Sequence, residues 1–428
     1  MSPVSKKRKR PGPRRPARQH ARTSIVDVAL AEFANRLADE GPLQSELLLS
    51  QMLGVAWGGS EWGRTDAAEA LALEVIDGNL MRHPAGGLLL SVIAAVGPEA
   101  VRERARLARD AGLASGTSIW RMPQWVDQIG QVKLDRGVTV TDVYGDQTAY
   151  NLEYFYPGAA EPERHVLVVV VDHNMHVVGN MFVRIGPGLM ESLDSVGEQN
   201  DRVVLAELDP QGASDDIWHH LEMTDHTIGE PFGDESAETR YVAAARLAAL
   251  PSPQPRVDAP QVSSAERDLV LDDFMKTTAV KDLLSGESTA DTPPERDTVQ
   301  FIARVAIDYA CDYGAGDPLR WSPMSVELFL TDWASRKVHW EAEDVPWVPE
   351  VLDALVAYCG ERKELDPGLI EQTREAVDEF GGDFLVLEME GTSKGPAAQL
   401  VASMLADGVD VTDQAAVQRW INIYNASL

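Results

Sequence analysis

The sequence predicts an α+β fold, with a helical N-terminal region, a central, mainly antiparallel β-meander of four to five strands, and an all-α C-terminal region. Apolar residues recur at helical spacing over residues 23–115 and again over 263–428. Between positions 137 and 208 the pattern changes to short β-branched runs, which are typical of strands. The connections between these runs are too short for parallel crossovers, and they therefore favour hairpins.

Helical periodicity is clear at the start of the N-terminal region. One face of an amphipathic helix is formed by Val26, Ala29, Leu30, Phe33 and Leu37, which lie three or four positions apart. The same spacing predicts four further helices, at Leu43–Val55, Ala67–Ile76, Gly87–Val96 and Glu99–Leu113.

The central region alternates between strand and turn signals. Val138 and Val140 alternate with threonines, and the unbroken run Val166–Val171 indicates a strand buried on both faces. The steps Asp146-Gln147 and Asp172-His173-Asn174 indicate turns, because Asp and Asn accommodate tight backbone geometry. The remaining strands are predicted at Tyr150–Tyr156, Val177–Ile185 and Val203–Leu208.

Helices are expected to resume after the strands, at Ala213–Met223 and Ala237–Ala249. Ser322 followed by Pro323 predicts an N-cap with proline at the first helical position. A later helix, which begins at Asp366-Pro367, is expected to end at Gly381-Gly382. The predicted organisation is a basic disordered tail at 1–22, a helical region at 23–115, a sheet with helices at 116–250, a proline-rich linker at 251–262 and an all-α domain at 263–428.

Charge is distributed unevenly along the chain, whose formal net charge is −30. Of the 38 Lys and Arg residues, nine lie within residues 1–22, which contain no acidic residue. The rest of the chain holds 29 basic against 68 acidic residues, a formal net charge of −39. A body of this charge repels nucleic acid and anionic membrane surfaces.

Sequence features of membrane and secreted proteins are missing. No apolar run reaches the roughly 18 residues of a membrane helix, and the charged N-terminus lacks the apolar stretch of a secretory signal. Cys311 and Cys359 show no metal-binding spacing and are typical of cytosolic thiols. We therefore predict a cytoplasmic protein with no membrane partner.

The basic tail is the first candidate site. A polyanion such as nucleic acid is its predicted ligand, because clustered Lys and Arg neutralise phosphates. The alternatives are a solvated arm, or an arm attracted to the acidic body of its own molecule. The predicted polyanion-binding residues are Lys6, Lys7, Arg8, Lys9 and Arg10.

A cluster of histidines is the second candidate site. Imidazole and carboxylate are ligands for zinc and other divalent ions, which need three or four converging ligands. His173 and His176 are the predicted metal ligands, although their convergence depends on the geometry of a hairpin turn. The alternative is that these residues only shape that turn. The cluster contains six of the nine histidines: His165, His173, His176, His219, His220 and His226.

Three carboxylates at predicted strand ends form the third candidate. Asp142 and Asp146 flank the first turn, and Asp172 ends the third strand. If the strand ends meet, two carboxylates could act as acid and base, with His173 as an alternative base. Asp142, Asp146, Asp172 and His173 are therefore the predicted catalytic residues. The alternative is that these aspartates are ordinary turn formers in an acid-rich chain.

Four tryptophans lie close together in the C-terminal region. With nearby Arg and Lys residues they could stack on bases or bind a partner peptide. For Trp333 the favoured alternative is a helical core, because it falls on the same stripe as Val326, Phe329 and Leu330. Trp340 and Trp347 flank an acidic loop, and both alternatives stay open for them. The four are Trp321, Trp333, Trp340 and Trp347.

Several segments resemble a family of uncharacterised actinobacterial proteins with no known activity. The resemblance implies a bacterial cytoplasmic protein and spans nearly the whole chain. One departure is Gly179-Asn180, where a Lys-Asp pair is expected. The segments are DVYGDQ at 142–147, VDHN at 171–174, LRWSP at 319–323, VELFLTDW at 326–333, RKV at 336–338, and the ending from 406 onward.

No sequence signature names a reaction. A Walker P-loop, a GxGxxG after a strand and a GxSxG elbow are all absent. The first hypothesis is a non-enzymatic cytoplasmic binding or adaptor protein whose tail contacts a polyanion, with no cofactor and an unknown protein partner. The alternative is a metal-dependent or acid/base hydrolase centred on the Asp172-His173 hairpin, with a divalent metal ion as its cofactor.

Overall fold

The structure is a computed structural model of the full chain. It describes most of the residues between 25 and 390, together with short stretches near the C-terminus. The described ranges are 25–37, 41–60, 63–116, 118–158, 163–186, 188–227, 233–255, 261–285, 293–390, 403–404, 407, 409 and 416–421.

The predicted α+β class is confirmed, since one five-stranded antiparallel sheet lies in the middle of the sequence with helices on either side. Backbone contacts divide the chain into two units. The first comprises Met1–Gln131 and Ala237–Ala245, and the second comprises Val132–Ser236 and Arg246–Leu428. The domain boundaries predicted from sequence stay predictions.

The first unit is built from helices that follow the predicted apolar periodicity. Helix α2 approaches the segment Ala237–Ala245 closely, because a Cβ on Gly54 would lie 2.0 Å from the carbonyl oxygen of Ala237. Ser50 Oγ accepts hydrogen bonds from two backbone amides of that segment, each 3.1 Å long. The helices are α1 (Ile25–Asn35), α2 (Pro42–Gly58), α3 (Arg64–Asp77), α4 (Gly86–Val96) and α5 (Glu99–Ser115).

The sheet of the second unit is a meander with one added edge strand. Its order is β4-β3-β2-β1-β5, and every neighbouring pair is antiparallel. The second strand begins three residues earlier than predicted, because Gln147 pairs with Asp172 of the next strand. The strands are β1 (Lys133–Asp142), β2 (Gln147–Phe155), β3 (Arg164–Asp172), β4 (Val177–Ile185) and β5 (Val203–Glu207).

Helices cover the two faces of the central strand β3, as its apolar run requires. Val166 and Val168 pack in a cluster with Met190 of helix α6 (Leu189–Gln199). Helix α7 (Pro210–His226) packs against β3 and β4, and the backbone amide of Val178 donates a 2.8 Å hydrogen bond to Thr224 Oγ1 of this helix. Helix α8 (Asp234–Leu247) follows and contributes residues to both units.

A buried arginine fills the end of the sheet where β3 begins. Arg246 Nε donates a 2.8 Å hydrogen bond to His165 Nε2, and Arg246 Nη2 donates a 2.7 Å bond to the Tyr156 hydroxyl. Burial, aided by the charge of Arg246, lowers the pKa of His165 to about 2. His165 is therefore neutral in the folded protein and acts as an acceptor for the guanidinium.

The remaining helices enclose an aromatic core. Trp333 packs against the core cluster, so its core interpretation is confirmed, and Trp321, Trp340 and Trp347 are buried in the same cluster. Ser322 caps its helix as predicted, by accepting a hydrogen bond from Ser325. The elements are α9 (Ser264–Phe274), α10 (Thr278–Ser285), α11 (Arg296–Asp312), α12 (Pro323–Glu327), a π-helical segment (Leu328–Ala334), α13 (Ser335–Lys337), α14 (Trp347–Arg362) and α15 (Pro367–Glu390).

The prediction that Gly381-Gly382 ends a helix is wrong. Helix α15 continues through both glycines to Glu390. A Cβ on Gly381 would lie 2.9 Å from Cβ of Pro349 in α14, so this glycine permits close helix packing instead of termination. Among the described residues, no helix is long and apolar enough to cross a membrane.

The neutral state of His165 predicts a pH-dependent stability. A histidine whose pKa is depressed by folding contributes stability that is complete above its unfolded pKa, near 6.5, and that is lost as pH falls towards 2. The change His165→Gln keeps an acceptor for Arg246 but does not titrate. We expect the wild-type free energy of unfolding to decrease relative to that of His165→Gln by about 2 kcal/mol between pH 8 and pH 5. Urea unfolding of both proteins at each pH measures this difference, and equal losses would contradict it.

Candidate metal centre

The pairing register of β2 and β3 brings three polar side chains to one face of the sheet. Tyr150 pairs with Val169, and Thr148 pairs with Val171, so these four residues share a face. His173 lies two positions after Val171. The backbone amide of His173 donates a hydrogen bond to the carbonyl oxygen of Asp146, which continues the pairing of the two strands by one more step. Thr148, Tyr150 and His173 are therefore held by the backbone ladder.

Helix α7 supplies two more polar side chains to this face. Asp209 caps the helix by accepting from the amide of Gln211, and Pro210 occupies its first turn. Asp216 and His220 lie four residues apart and therefore on the same side of the helix. Ile217 and Leu221, one position further along, are buried and anchor the helix.

Three potential metal ligands converge where the helix meets the hairpin. One ligand atom from each of His173, Asp216 and His220 lies within 4.8 Å of the other two. A tetrahedral ion with ligand distances of about 2.1 Å places its ligand atoms about 3.4 Å apart. Small side-chain rotations would therefore close the cluster around an ion. Two imidazoles and one carboxylate suit zinc and ferrous iron.

Each of the three ligands also makes a hydrogen bond to a group that is not one of the three converging side chains. The Tyr150 hydroxyl donates a 2.6 Å bond to Asp216 Oδ2. His220 Nδ1 lies 2.8 Å from the backbone carbonyl oxygen of Asp216, and His173 Nε2 lies 3.0 Å from Thr148 Oγ1. Such outer partners orient ligand side chains at known metal sites.

The electrostatic environment favours the protonation states that bind metal. Burial lowers the pKa of His173, so its imidazole is neutral at pH 7. Burial opposes the ionisation of Asp216, but hydrogen bonds from His220 and Tyr150 outweigh it and lower the pKa of this carboxyl group. Burial, together with the Asp216 carboxylate, raises the pKa of Tyr150, which remains a donor.

The cluster is partly accessible from solvent. The side chain of Asp216 is 28% exposed, whereas that of His220 is 7% exposed. The carboxylate of Asp216 is therefore in contact with solvent, whereas His220 is buried.

The predicted ligand His176 lies beside the cluster but is not one of the three converging groups. Its backbone has φ of 55°, in the left-handed region, and its ring stacks on that of His220 with 6.4 Å between centroids. The ring of His219 lies 5.0 Å from His220 in an edge-on arrangement. His165 belongs to the buried contact with Arg246, and His226 Nδ1 lies 2.8 Å from the carbonyl oxygen of Glu222.

The predicted catalytic aspartates hold the hairpin turns. Asp142 accepts from the amides of Tyr144 and Gln147, at 2.8 and 2.6 Å. Asp172 accepts from the amides of residues 174 and 175, at 3.0 and 2.9 Å. Asp146 forms a 3.0 Å ion pair with Arg320, whose guanidinium also donates to the carbonyl oxygens of residues 144 and 145.

All three aspartates line one cleft of about 590 Å³, which is also bordered by α12 and α15. His173 follows Asp172 directly but belongs to the cluster with α7. Of the four predicted catalytic residues, the three aspartates therefore contact the hairpin turns, and His173 lies with Asp216 and His220. Their catalytic role stays a prediction.

Sequence reasoning found His173 and His220 as members of the histidine cluster but missed Asp216, Tyr150 and Thr148. The spacing of Asp216 and His220, four residues apart in a predicted helix, is a signal that could have identified the pair. Tyr150 and Thr148 gave no such signal, because their neighbours depend on strand pairing. The predicted polyanion-binding residues 6–10 lie outside the described residues.

Comparisons of the chain with protein-family models, with curated proteins and with solved structures found no match. The resemblance to actinobacterial proteins therefore stays a prediction, and the geometry of the cluster is the remaining indication of function.

The turn-forming role of Asp142 predicts a stability effect. The change Asp142→Ala leaves two backbone amides of the first hairpin without their acceptor, and we expect a loss of about 1–3 kcal/mol in the free energy of unfolding. The control Asp201→Ala removes an exposed carboxylate near the same strands and should alter stability by less than about 0.5 kcal/mol. Urea unfolding checks both, and equal effects would argue against the turn role.

Proposed function

We propose that the protein binds a divalent transition-metal ion through His173, Asp216 and His220 and uses it in hydrolysis. The observation that supports this proposal is the convergence of the three ligand atoms within 4.8 Å of one another. The neutral His173 and the ionised Asp216 have the protonation states that a metal ion requires.

The number of ligands favours a catalytic site over a structural one. Structural zinc sites have four protein ligands, whereas catalytic zinc sites have three and leave a position for water or substrate. The described part of this cluster offers three, and one of them is partly exposed.

The proposed reaction is hydrolysis of a carboxylic ester or amide. His173, Asp216 and His220 would hold the ion, which would supply an acidified water as the nucleophile. In the overall reaction the water oxygen would bond to the carbonyl carbon, the bond to the leaving group would break, and a water proton would pass to the leaving group. The strong negative charge of the body disfavours phosphate-containing substrates.

Metal binding is tested by titration with Zn²⁺ and Co²⁺ after chelator treatment. We expect one equivalent to bind to the wild type, with affinity reduced at least about 100-fold by Asp216→Ala or His220→Ala, because each change removes one of three ligands. The matched control is His226→Ala on the same helix, which should bind like the wild type. Hydrolysis of p-nitrophenyl acetate should depend on added metal and be lost in Asp216→Ala.

Failure of the wild type to bind a stoichiometric ion would contradict the proposal. Binding that survives Asp216→Ala and His220→Ala equally would place the ion elsewhere in the chain. Stoichiometric binding without metal-dependent hydrolysis would support the metal centre and exclude the hydrolytic reaction for this ester.

A second candidate function is supported by the charge distribution. We propose that residues 1–22 form a polyanion-binding arm and that the protein acts as a cytoplasmic adaptor with a protein partner. The support is the placement of nine basic residues beside a body of formal charge −39. Free thiols at Cys311 and Cys359 accord with a reducing, cytoplasmic compartment.

The arm is tested by measuring the affinity for a labelled DNA duplex across a salt series. Replacing the five basic residues at 6–10 with Ala should weaken binding and reduce the slope of log K against log salt by about 4, since each neutralised phosphate contributes about 0.9. The charge-conserving control has Lys at all five positions and should bind like the wild type. Equal binding by the Ala variant would contradict the proposal.

A further inference from the structure

We infer that Tyr150 and Thr148 are positioning residues that hold the three ligands to one donor atom each and so leave a coordination position open. This inference rests on the proposed metal centre and specifies its outer hydrogen bonds. An open coordination position distinguishes an ion that can bind substrate from a structural ion whose ligands are all protein atoms.

Tyr150 determines how Asp216 can bind. A carboxylate can bind a metal through one or both oxygens, but Oδ2 of Asp216 accepts the Tyr150 hydroxyl at 2.6 Å. The hydroxyl is the donor in this contact, because an aspartate oxygen accepts. The other oxygen, Oδ1, lies 3.3 Å from His220 Nδ1, a longer contact than the one to Tyr150, and is the oxygen that an ion would bind.

Hydrogen bonds also select one nitrogen on each histidine. His220 Nδ1 lies 2.8 Å from the backbone carbonyl oxygen of Asp216, an acceptor that fixes the proton on Nδ1 and leaves Nε2 for a metal. His173 Nε2 lies 3.0 Å from Thr148 Oγ1, and when Nε2 donates to this hydroxyl, Nδ1 carries the lone pair for a metal. Thr148 Oγ1 is in turn 3.2 Å from Thr141 Oγ1 on the neighbouring strand.

The consequence is a centre with three single-atom protein ligands. A four-coordinate ion then retains one position for water or substrate. If both oxygens of Asp216 bound the ion, protein atoms would fill that fourth position, and a water would then bind as a fifth ligand. Tyr150 therefore acts through Asp216 and does not itself touch the ion.

The experiment uses the intact chain and Co²⁺, whose visible absorption is strong in four-coordinate sites and weak at higher coordination numbers. Wild type is compared with Tyr150→Phe, which removes only the hydroxyl. We expect the variant to show weaker absorption, because Asp216 can then bind through both oxygens, and a 10–100-fold change in Co²⁺ affinity. Thermal unfolding of the metal-free proteins shows whether the variant folds.

The matched control is Tyr144→Phe. Tyr144 lies in the neighbouring hairpin turn, and its hydroxyl donates to the carbonyl oxygen of Leu369 and to Gln372. Neither of these bonds involves His173, Asp216 or His220, so removing the Tyr144 hydroxyl should leave the Co²⁺ absorption and the Co²⁺ affinity unchanged. An effect of the same size in both variants would indicate general destabilisation and overturn the role of Tyr150.

Thr148→Val tests the second contact, with Thr141→Val as its control. We expect the Thr148 change to reduce Co²⁺ affinity about 10-fold or more and the Thr141 change to have a smaller effect, because only Thr148 bonds to His173. A wild type that binds no Co²⁺ would overturn the metal proposal and this inference together. A wild type that binds Co²⁺, with Tyr150→Phe and Thr148→Val unchanged in affinity and absorption, would overturn this inference alone.

Discussion

The register between β2 and β3 is the constraint on which the candidate site depends. The pairing of Tyr150 with Val169 and of Thr148 with Val171 directs these polar side chains to the face covered by α7. A slip of one residue would turn every β2 side chain to the opposite face. The hairpin turns on either side of the pair oppose such a slip, because Asp142 and Asp172 accept specific backbone amides in them. The same ladder that stabilises the sheet therefore positions the polar groups beside His173.

Within the cluster, burial opposes the ionisation of the side chains, whereas hydrogen bonds favour the ionisation of Asp216. The balance between the two determines which groups are charged. Removing Asp216 from water disfavours its charge, yet donors from Tyr150 and His220 keep it ionised. Burial of His173 removes its proton without a comparable compensation. One neutral imidazole thus faces one carboxylate, an arrangement that can bind a cation. The contact between Arg246 and His165 follows the same principle, since a buried histidine stays neutral and accepts from a cation.

The large number of acidic residues in this protein does not by itself identify which carboxylates could bind a metal ion or take part in catalysis. Asp142 and Asp172 accept backbone amides at the two hairpin turns, and Asp146 pairs with Arg320. These contacts satisfy polar groups that the turns would otherwise leave without partners. Asp216, by contrast, lies inside a helix, where its carboxylate has no turn to stabilise. Its contacts with Tyr150 and His220 therefore distinguish it from the other aspartates.

The sequence by itself determined the α+β class, the hairpin strands and the placement of Trp333 in a core, because these features follow from local periodicity and turn chemistry. The strand at Val177–Ile185 and the cap at Ser322 were predictable for the same reason. The tertiary structure decided that α15 continues through Gly381 and that Asp216 joins His173 and His220. Both outcomes depend on contacts between segments distant in sequence. Neither a glycine step nor an isolated aspartate specifies such partners, since strand register and helix packing alone bring them together.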